Sequence, residues 1–282
     1  MILVTSATGT IGSEVVKTLK AQGQVLKAAS RDPANAQDKL GVPTVSWDWK
    51  RPQDFVKTLG GVRTLFLGTP PGIPEEKDYG LSAVAAAKQA GVKKIVKLSA
   101  IGTENMPDSP HRQVELAIEQ GGFQWVFLRP NFFMQNLNEN MLMEIKQYGS
   151  LSVPTGEGLT SAIDARDIAA VAAVGMIGDS LNGQGLTLTG SEALSYKDMA
   201  EQLGLAIGKT LRHVDIPAPD YKVLLLKAGV SPFYADFLTM LYHEVVRKGY
   251  VAGISDAVKK TTGREPIRFS QYAKDYADAF KG

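Results

Sequence analysis

The stretch Ile2-Leu3-Val4-Thr5-Ser6-Ala7-Thr8-Gly9-Thr10-Ile11-Gly12-Ser13-Glu14-Val15-Val16 decides the fold. Its branched apolar start predicts a strand, its small polar middle a tight loop, and its apolar spacing from Ile11 onward a helix. Such a loop aims backbone N–H groups and the positive end of the helix dipole at one point, which suits a pyrophosphate. Glycines there let the chain turn tightly and approach phosphates closely. Gly9 and Gly12 fill the second and third glycine positions of a Gly-x-x-Gly-x-x-Gly spacing, and Ser6 stands in the first. If that position needs positive φ, a residue with a Cβ costs about 1 to 2 kcal/mol; if it does not, serine is simply tolerated. A plain βα turn without a ligand is the competing reading. On the binding reading, Thr5, Ser6, Thr8, Gly9, Thr10 and Ile11 are candidate cofactor contacts.

Beyond this stretch, short branched apolar runs keep alternating with helical patterns, the signature of parallel βαβ units. Strands are predicted at 2–5, 25–30, 44–47, 64–68, 94–99 and 125–129, with helices over 14–22, 53–58, 79–90 and 111–120 between them. After Arg129 the alternation loosens. A helix or loop-plus-helix is expected over 131–146, a helix over 164–177 opened by Asp164, and a helix over 196–207 begun by Ser195. Short strands are expected at 186–189 and 212–216, and the rest of the chain is expected to be mostly helical. The pattern predicts an α/β fold. Residues 1–130 are expected to form a Rossmann-type doubly wound parallel sheet that binds NADP, to which elements around 160–190 return, and 131–282 to form mainly a smaller, mostly helical C-terminal substrate lobe.

Composition narrows the function. The 282 residues are 44% hydrophobic and 21% charged, enough to bury a full core. Formal net charge is +2 with the basic residues scattered, so no footprint for nucleic acid is expected. The absence of cysteine excludes disulfides, thiolate nucleophiles and Cys-ligated metals, and suits a reducing compartment, with the cytoplasm as the expectation. The opening Met-Ile-Leu-Val turns polar quickly and has no basic leader, so neither a signal peptide nor a membrane anchor is expected. His111, His213 and His243 lie far apart without an i, i+4 partner, and no metal site is expected. No Gly-x-Ser-x-Gly elbow supports acyl transfer.

The other strand ends sharpen the dinucleotide reading. At the end of the second strand an acid suits a ribose 2′-hydroxyl and an Arg suits a 2′-phosphate. Ser30 and Arg31 stand there, which favours NADP(H) over NAD(H); Asp32 follows, either accepting from a ribose or pairing with Arg31 on the surface. Asp48, ending the third strand, either meets the adenine amino group or is a solvated turn residue. Gly68, Thr69 and Pro70 end the fourth strand in a stiff floor that would line the cofactor, and Ser99 ends the fifth near the expected nicotinamide.

Four runs together carry a resemblance: Thr5 to Gly12, Ser30-Arg31-Asp32, Leu128-Arg129-Pro130-Asn131-Phe132-Phe133-Met134-Gln135-Asn136, and Asp164-Ala165-Arg166-Asp167-Ile168-Ala169. The chain resembles the NmrA-like group of atypical short-chain dehydrogenases. Val45-Ser46-Trp47-Asp48-Trp49 and Thr262-Gly263-Arg264-Glu265-Pro266 resemble its ergot-alkaloid reductase-like branch. That group includes NAD(P)H-dependent quinone, azo-dye and triphenylmethane reductases and redox-sensing regulators. Ordinary short-chain dehydrogenases use Tyr-x-x-x-Lys, and those slots fall here on Pro107 and His111. Isoflavone-reductase-like members keep a Lys where His111 stands. The resemblance therefore implies that His111 orients the nicotinamide ribose or supplies a proton, against the reading that it only begins a helix. His111 and Ser99 are the candidate catalytic residues.

Without an obvious acid, hydride transfer works if solvent can protonate an electron-poor acceptor. The implied function is an NADPH-dependent reductase of a planar conjugated quinone, azo, iminium or imine compound, acting as a monomer or homodimer. The alternative is a non-catalytic NADP(H)-sensing regulator, with an isomerase or epimerase on the same fold as a third reading. Asn131, Phe132, Phe133 and Asn136, after the sixth strand, and Phe233 and Phe237 in a later aromatic stripe are the candidate substrate contacts, with ordinary core packing as the rival for the aromatics. Arg129 is expected to pair with a carboxylate, and Asp167 to cap its helix.

Overall fold

The computed structural model describes residues 1–281. The chain divides into two compact units. The first comprises Met1–Pro130, Ala165–Leu188 and Lys260–Gly263, and the second Asn131–Asp164, Thr189–Lys259 and Arg264–Gly282.

In the first unit β1 (Ile2–Val4) leads into α1 (Thr10–Ala21), β2 (Leu26–Ser30), α2 (Pro33–Leu40), β3 (Thr44–Ser46) and the short α3 (Phe55–Thr58). There follow β4 (Thr64–Leu67), α4 (Glu76–Gln89), β5 (Lys94–Leu98), α5 (Pro110–Gln120) and β6 (Gln124–Pro130). In chain order the next elements are α6 (Asn136–Asn140), α7 (Leu142–Tyr148), β7 (Ser150–Ser152) and β8 (Leu159–Thr160), all of the second unit. α8 (Ala165–Ile177) and β9 (Gln184–Leu188) belong again to the first.

Its seven strands form one parallel sheet in the order β3-β2-β1-β4-β5-β6-β9. The chain steps from β1 outward to β2 and β3, then returns to the other side of β1 as β4. The direction of winding thus reverses between β1 and β4, where ligands of such sheets bind beyond the carboxyl ends of the strands. The central strands are buried throughout, as parallel strands covered on both faces must be. α1 packs with α8 on one face, while α4 packs with α3 and α5. The α4–α5 approach depends on Gly80, where a Cβ would lie 2.4 Å from Val114 Cγ2. Trp47 stacks on Phe55 with centroids 3.8 Å apart, and Trp49 meets both edge-on, anchoring the chain after β3 in the core.

α2 is absent from the sequence expectation for a physical reason: of its eight residues only Ala36 is buried, so it carries no apolar stripe. Asp32 and Pro33 start it and Gly41, at φ +61°, ends it.

The second unit contains β10 (Leu194–Ser195), α9 (Tyr196–Ile207), β11 (Arg212–Val214), α10 (Ala218–Lys227) and α11 (Pro232–Met240). β7 pairs with β11 and β8 with β10. Ser195 caps α9 in a reciprocal capping box with Asp198. The segment expected as helix over 131–146 is loop, α6 and α7. Leu241–Val246 is a π-helical turn, and Phe269, Tyr272 and Phe280 are fully buried.

Candidate cofactor site

The β1–α1 loop is built by hydrogen bonds to the end of β4. Thr5, fully buried, donates its hydroxyl to Phe66 O at 3.0 Å and accepts from Gly68 N at 3.0 Å. Ser6 is the one non-glycine among the described residues with positive φ, at +49°, and its Oγ donates to Gly68 O at 2.8 Å. The first glycine position therefore does require a left-handed backbone, and the serine side chain offsets that strain with a bond no glycine could make. Gly9 N donates to Ser6 O at 3.0 Å and closes the turn. Gly12 is obligatory: a Cβ there would lie 2.1 Å from Ser6 O and 2.9 Å from Ala7 Cα. Gly9 has ordinary extended dihedrals and a Cβ would have room, so its lack of a side chain serves the openness of the helix start rather than the turn. The N-cap of α1 is Gly9, which has no side chain to cap it, and the positive end of the helix dipole points at this loop. Thr8 and Gly9 are exposed, Thr10 is half-buried and Ile11 is buried in the core.

At the end of β2, Asp32 accepts from Asn35 N at 3.2 Å and caps α2, while its own N–H donates to Ser30 Oγ at 3.2 Å. The expected alternative of an Arg31–Asp32 surface pair does not form; Arg31 is exposed and has no ion-pair partner among the described residues. Asp48 accepts from Lys50 N at 3.0 Å, a local turn bond that occupies one carboxylate oxygen.

The loop after β4 has a partner that sequence reasoning missed. Glu76, buried at the start of α4, accepts from Thr69 Oγ1 at 3.2 Å and from Gly72 N at 3.3 Å. Burial raises its pKa, against the lowering pull of Lys97 and of these two hydrogen bonds. Lys97, on β5, is fully buried; its Nζ donates to Leu98 O and stands 3.3 Å from His111 Nδ1. Burial lowers the Lys97 pKa to about 8, with Glu76 and then Glu115 holding it up. Burial, with Lys97 beside it, lowers the His111 pKa to about 3, so the ring is neutral at physiological pH. The ammonium donates to Nδ1; the ring proton therefore sits on Nε2, which faces Glu76 Oε1 at 3.6 Å. His111 also occupies the first turn of α5, so both of its expected roles, helix start and site residue, are compatible. Lys97 had a signal in the sequence, as a cation inside the apolar run Ile95-Val96-Lys97-Leu98 of a central strand. Glu76, in Glu75-Glu76, looks like any solvated helix start.

Ser99, just past β5, donates its backbone N–H to Leu128 O at 2.7 Å, yet its buried Oγ has no hydrogen-bond partner among the described residues. A buried hydroxyl of this kind calls for a ligand or water partner. Pro107, in the other empty Tyr-x-x-x-Lys slot, only accepts from Gln113 Nε2 at 2.6 Å. Arg129 is structural: Nε and Nη2 grip the buried Glu115 at 3.1 and 2.8 Å, with Arg112 on the same carboxylate at 3.0 Å and Glu104 3.3 Å from Arg129.

In the second unit, Asn131 is buried with its side chain engaged internally, donating to Ser161 Oγ and Val251 O at 2.8 Å and accepting from Phe132 N at 2.8 Å. Its amide holds the segment after β6 in shape, which makes Asn131 a support of the expected substrate segment. Phe132 is half-buried with its ring 5.6 Å from that of Tyr242, and Phe133 bridges to Ile163. Asn136 is half-buried at the start of α6. Phe233 and Phe237 on α11 are 51% and 40% exposed, which removes the core-packing reading for both. His213 bonds to Thr155 Oγ1 and Val153 O, and no group of three His, Asp or Glu able to hold a metal exists among the described residues. No helix among them is long and apolar enough to cross a membrane.

The loop geometry, the uncapped helix start and the orphan hydroxyl of Ser99 fit a dinucleotide. Comparison with known proteins agrees. The profile of the NmrA-like family matches residues 1–269. The NAD(P)H azoreductase of Xenophilus azovorans is 38% identical over 288 residues, covering 99% of each chain. The uncharacterized oxidoreductase YesF of Bacillus subtilis is 34% identical, covering 98% of this chain and 95% of its own. The triphenylmethane reductase of Citrobacter sp., solved in complex with NADP(H), superposes with a TM-score of 0.85 at 22% identity over 98% of this chain and all of that one.

Proposed function

We propose that this chain, which belongs to the NmrA-like family and is an NAD(P)-binding oxidoreductase, is an NADPH-dependent reductase of planar, electron-poor acceptors such as azo compounds, quinones or iminium ions. The observation that carries this reading is the loop Thr5–Gly12: a tight turn latched to Gly68, a glycine that tolerates no Cβ, and a helix whose N-cap is a glycine with no capping side chain.

On this reading the amides at the start of α1 hold the pyrophosphate, with Thr8 and Thr10 beside them. Arg31 holds the 2′-phosphate, because its guanidinium has no carboxylate to satisfy it and Asp32 is turned to its own helix. Thr69 and Pro70 would form the floor, and the Ser99 hydroxyl, buried without a partner, would hold the nicotinamide. When bound, the nicotinamide supplies the hydride. Phe132, Phe133, Asn136, Phe233 and Phe237 of the second unit are the acceptor contacts of this reading, for which aromatic rings supply stacking surface. The chain contributes position more than acid–base chemistry: His111 is neutral and its acceptor nitrogen is taken by Lys97, so protonation of the reduced acceptor falls to solvent.

The test is to mix the protein with NADPH and a panel of azo dyes, quinones and cyclic imines and follow the cofactor's absorbance. Turnover on at least one class is expected. Tight NADPH binding with no turnover across the panel would replace the reductase reading by a sensing role.

A further inference from the structure

We propose that Lys97 is a positioning residue for the dinucleotide, acting through His111 and Glu76: a chain of contacts, buried at both ends and half-buried at His111, runs from the end of β5 to the Thr69–Gly72 loop after β4. The inference rests on the cofactor reading above. Each link is short. Lys97 Nζ bonds Leu98 O, next to the orphan hydroxyl of Ser99, and reaches His111 Nδ1 at 3.3 Å. His111 Nε2 faces Glu76 Oε1 at 3.6 Å, and the same carboxylate holds Thr69 Oγ1 at 3.2 Å and Gly72 N at 3.3 Å. The two loops so joined end the neighbouring strands β4 and β5, just beyond the crossover beside β1.

The chain has a defined polarity. An ammonium at one end and a carboxylate at the other are joined by a neutral imidazole with its acceptor toward the cation and its proton toward the anion. The ion pair is spread over three side chains rather than closed in direct contact, so the geometry of the Thr69–Gly72 loop depends on the charge of Lys97. No other group relieves it. Glu115, the second charge that Lys97 senses, is already bound by Arg129 and Arg112.

Lys97 is charged at neutral pH and loses its proton near pH 8, within reach of ordinary buffers. Above that pH the imidazole loses its donor, Glu76 loses its counter-charge, and the loop is freed. The charge of Glu76 is part of what keeps Lys97 protonated, so neutralising Glu76 lowers the pH at which the proton leaves.

The experiment is a series of NADPH dissociation constants, read by fluorescence from about pH 6.5 to about pH 9.5, for wild type, K97M, K97R and E76Q. Wild-type Kd should rise roughly tenfold through a step near pH 8, the scale of one charge-assisted hydrogen bond. K97M should bind at the weak level at all pH values, without a step. K97R, which keeps the charge throughout, should lose the step, and E76Q should move it lower. A wild-type Kd that is flat across pH 8 overturns the inference without any variant, as does a step that persists in K97M or stays in place in E76Q. Absence of NADPH binding by wild type at every pH overturns the cofactor reading itself. NMR of protein labelled at lysine Cε gives a readout free of the cofactor: Lys97 titrating at an ordinary lysine pKa overturns the inference alone.

Discussion

At the scale of the residue, Ser6 shows two opposed effects of similar size. A side chain at φ +49° costs about 1 to 2 kcal/mol, and the bond from its hydroxyl to Gly68 O returns about 1 kcal/mol. S6G relieves the strain but loses the bond and loosens the unfolded chain, so its stability should stay within about 1 kcal/mol of wild type. S6A keeps the strain and loses the bond, and should lose about 1 kcal/mol. Urea denaturation ranks the two; S6A at least as stable as S6G would show that the left-handed turn is not held in solution. Arg31 is the other single-residue question. Its guanidinium has no internal partner, so R31A should leave the fold intact and weaken NADPH binding by roughly tenfold or more, the range of a charge-assisted bond to phosphate, with NADH unaffected. Equal effects on both dinucleotides would remove Arg31 from the 2′-phosphate.

At the scale of the element, α5 joins the sheet through a buried carboxylate. Glu115 is fully buried and holds both Arg129 of β6 and Arg112 of its own helix, with Glu104 on the far side of Arg129. Removing one partner of a buried pair leaves uncompensated charge, typically at a cost of about 3 to 5 kcal/mol. E115Q should therefore lower unfolding free energy by about 3 kcal/mol while the pH step of NADPH binding remains, since Glu115 is only the weaker of the two carboxylates acting on Lys97. A fall below about 1 kcal/mol, the scale of a surface pair, would mean the network is solvated. Legibility in the sequence varied with what each element buries. The central strands β1 and β4 announce themselves because they are buried on both faces, and α9 because Ser195 and Asp198 box its start. α2 could not be seen because only Ala36 is buried in it.

At the scale of the whole molecule, the buried cluster makes global stability depend on pH. His111 has a folded pKa near 3 against an ordinary 6.5, so between those values the unfolded chain binds a proton that the folded chain refuses. Stability accordingly falls as pH drops below 6.5, by about 1.4 kcal/mol per unit from this group. Glu76, with its raised pKa, acts in the opposite sense, and Lys97 adds a gain in stability from about pH 8 toward 10.5. H111Q, which cannot be protonated, should therefore lose about 2 kcal/mol less than wild type on acidification from pH 7 to about pH 5. Parallel curves for the two proteins would show that His111 protonates freely in the folded state.

The sequence by itself determined the parallel α/β sheet, the loop at its first strand end and the dinucleotide class, because these follow from local patterns: branched runs, a glycine at a fixed offset, an apolar helical spacing. Gly12 could be read as necessary from spacing alone. What Ser6 does, that Asn131 supports its own segment, and that Phe233 and Phe237 are exposed required the folded chain, because each depends on partners or neighbours that sequence order does not reveal. The same holds for Glu76, Lys97 and His111. They lie on three different elements, and only the pairing of β4 with β5 and the packing of α4 on α5 bring a carboxylate, an ammonium and an imidazole into one line.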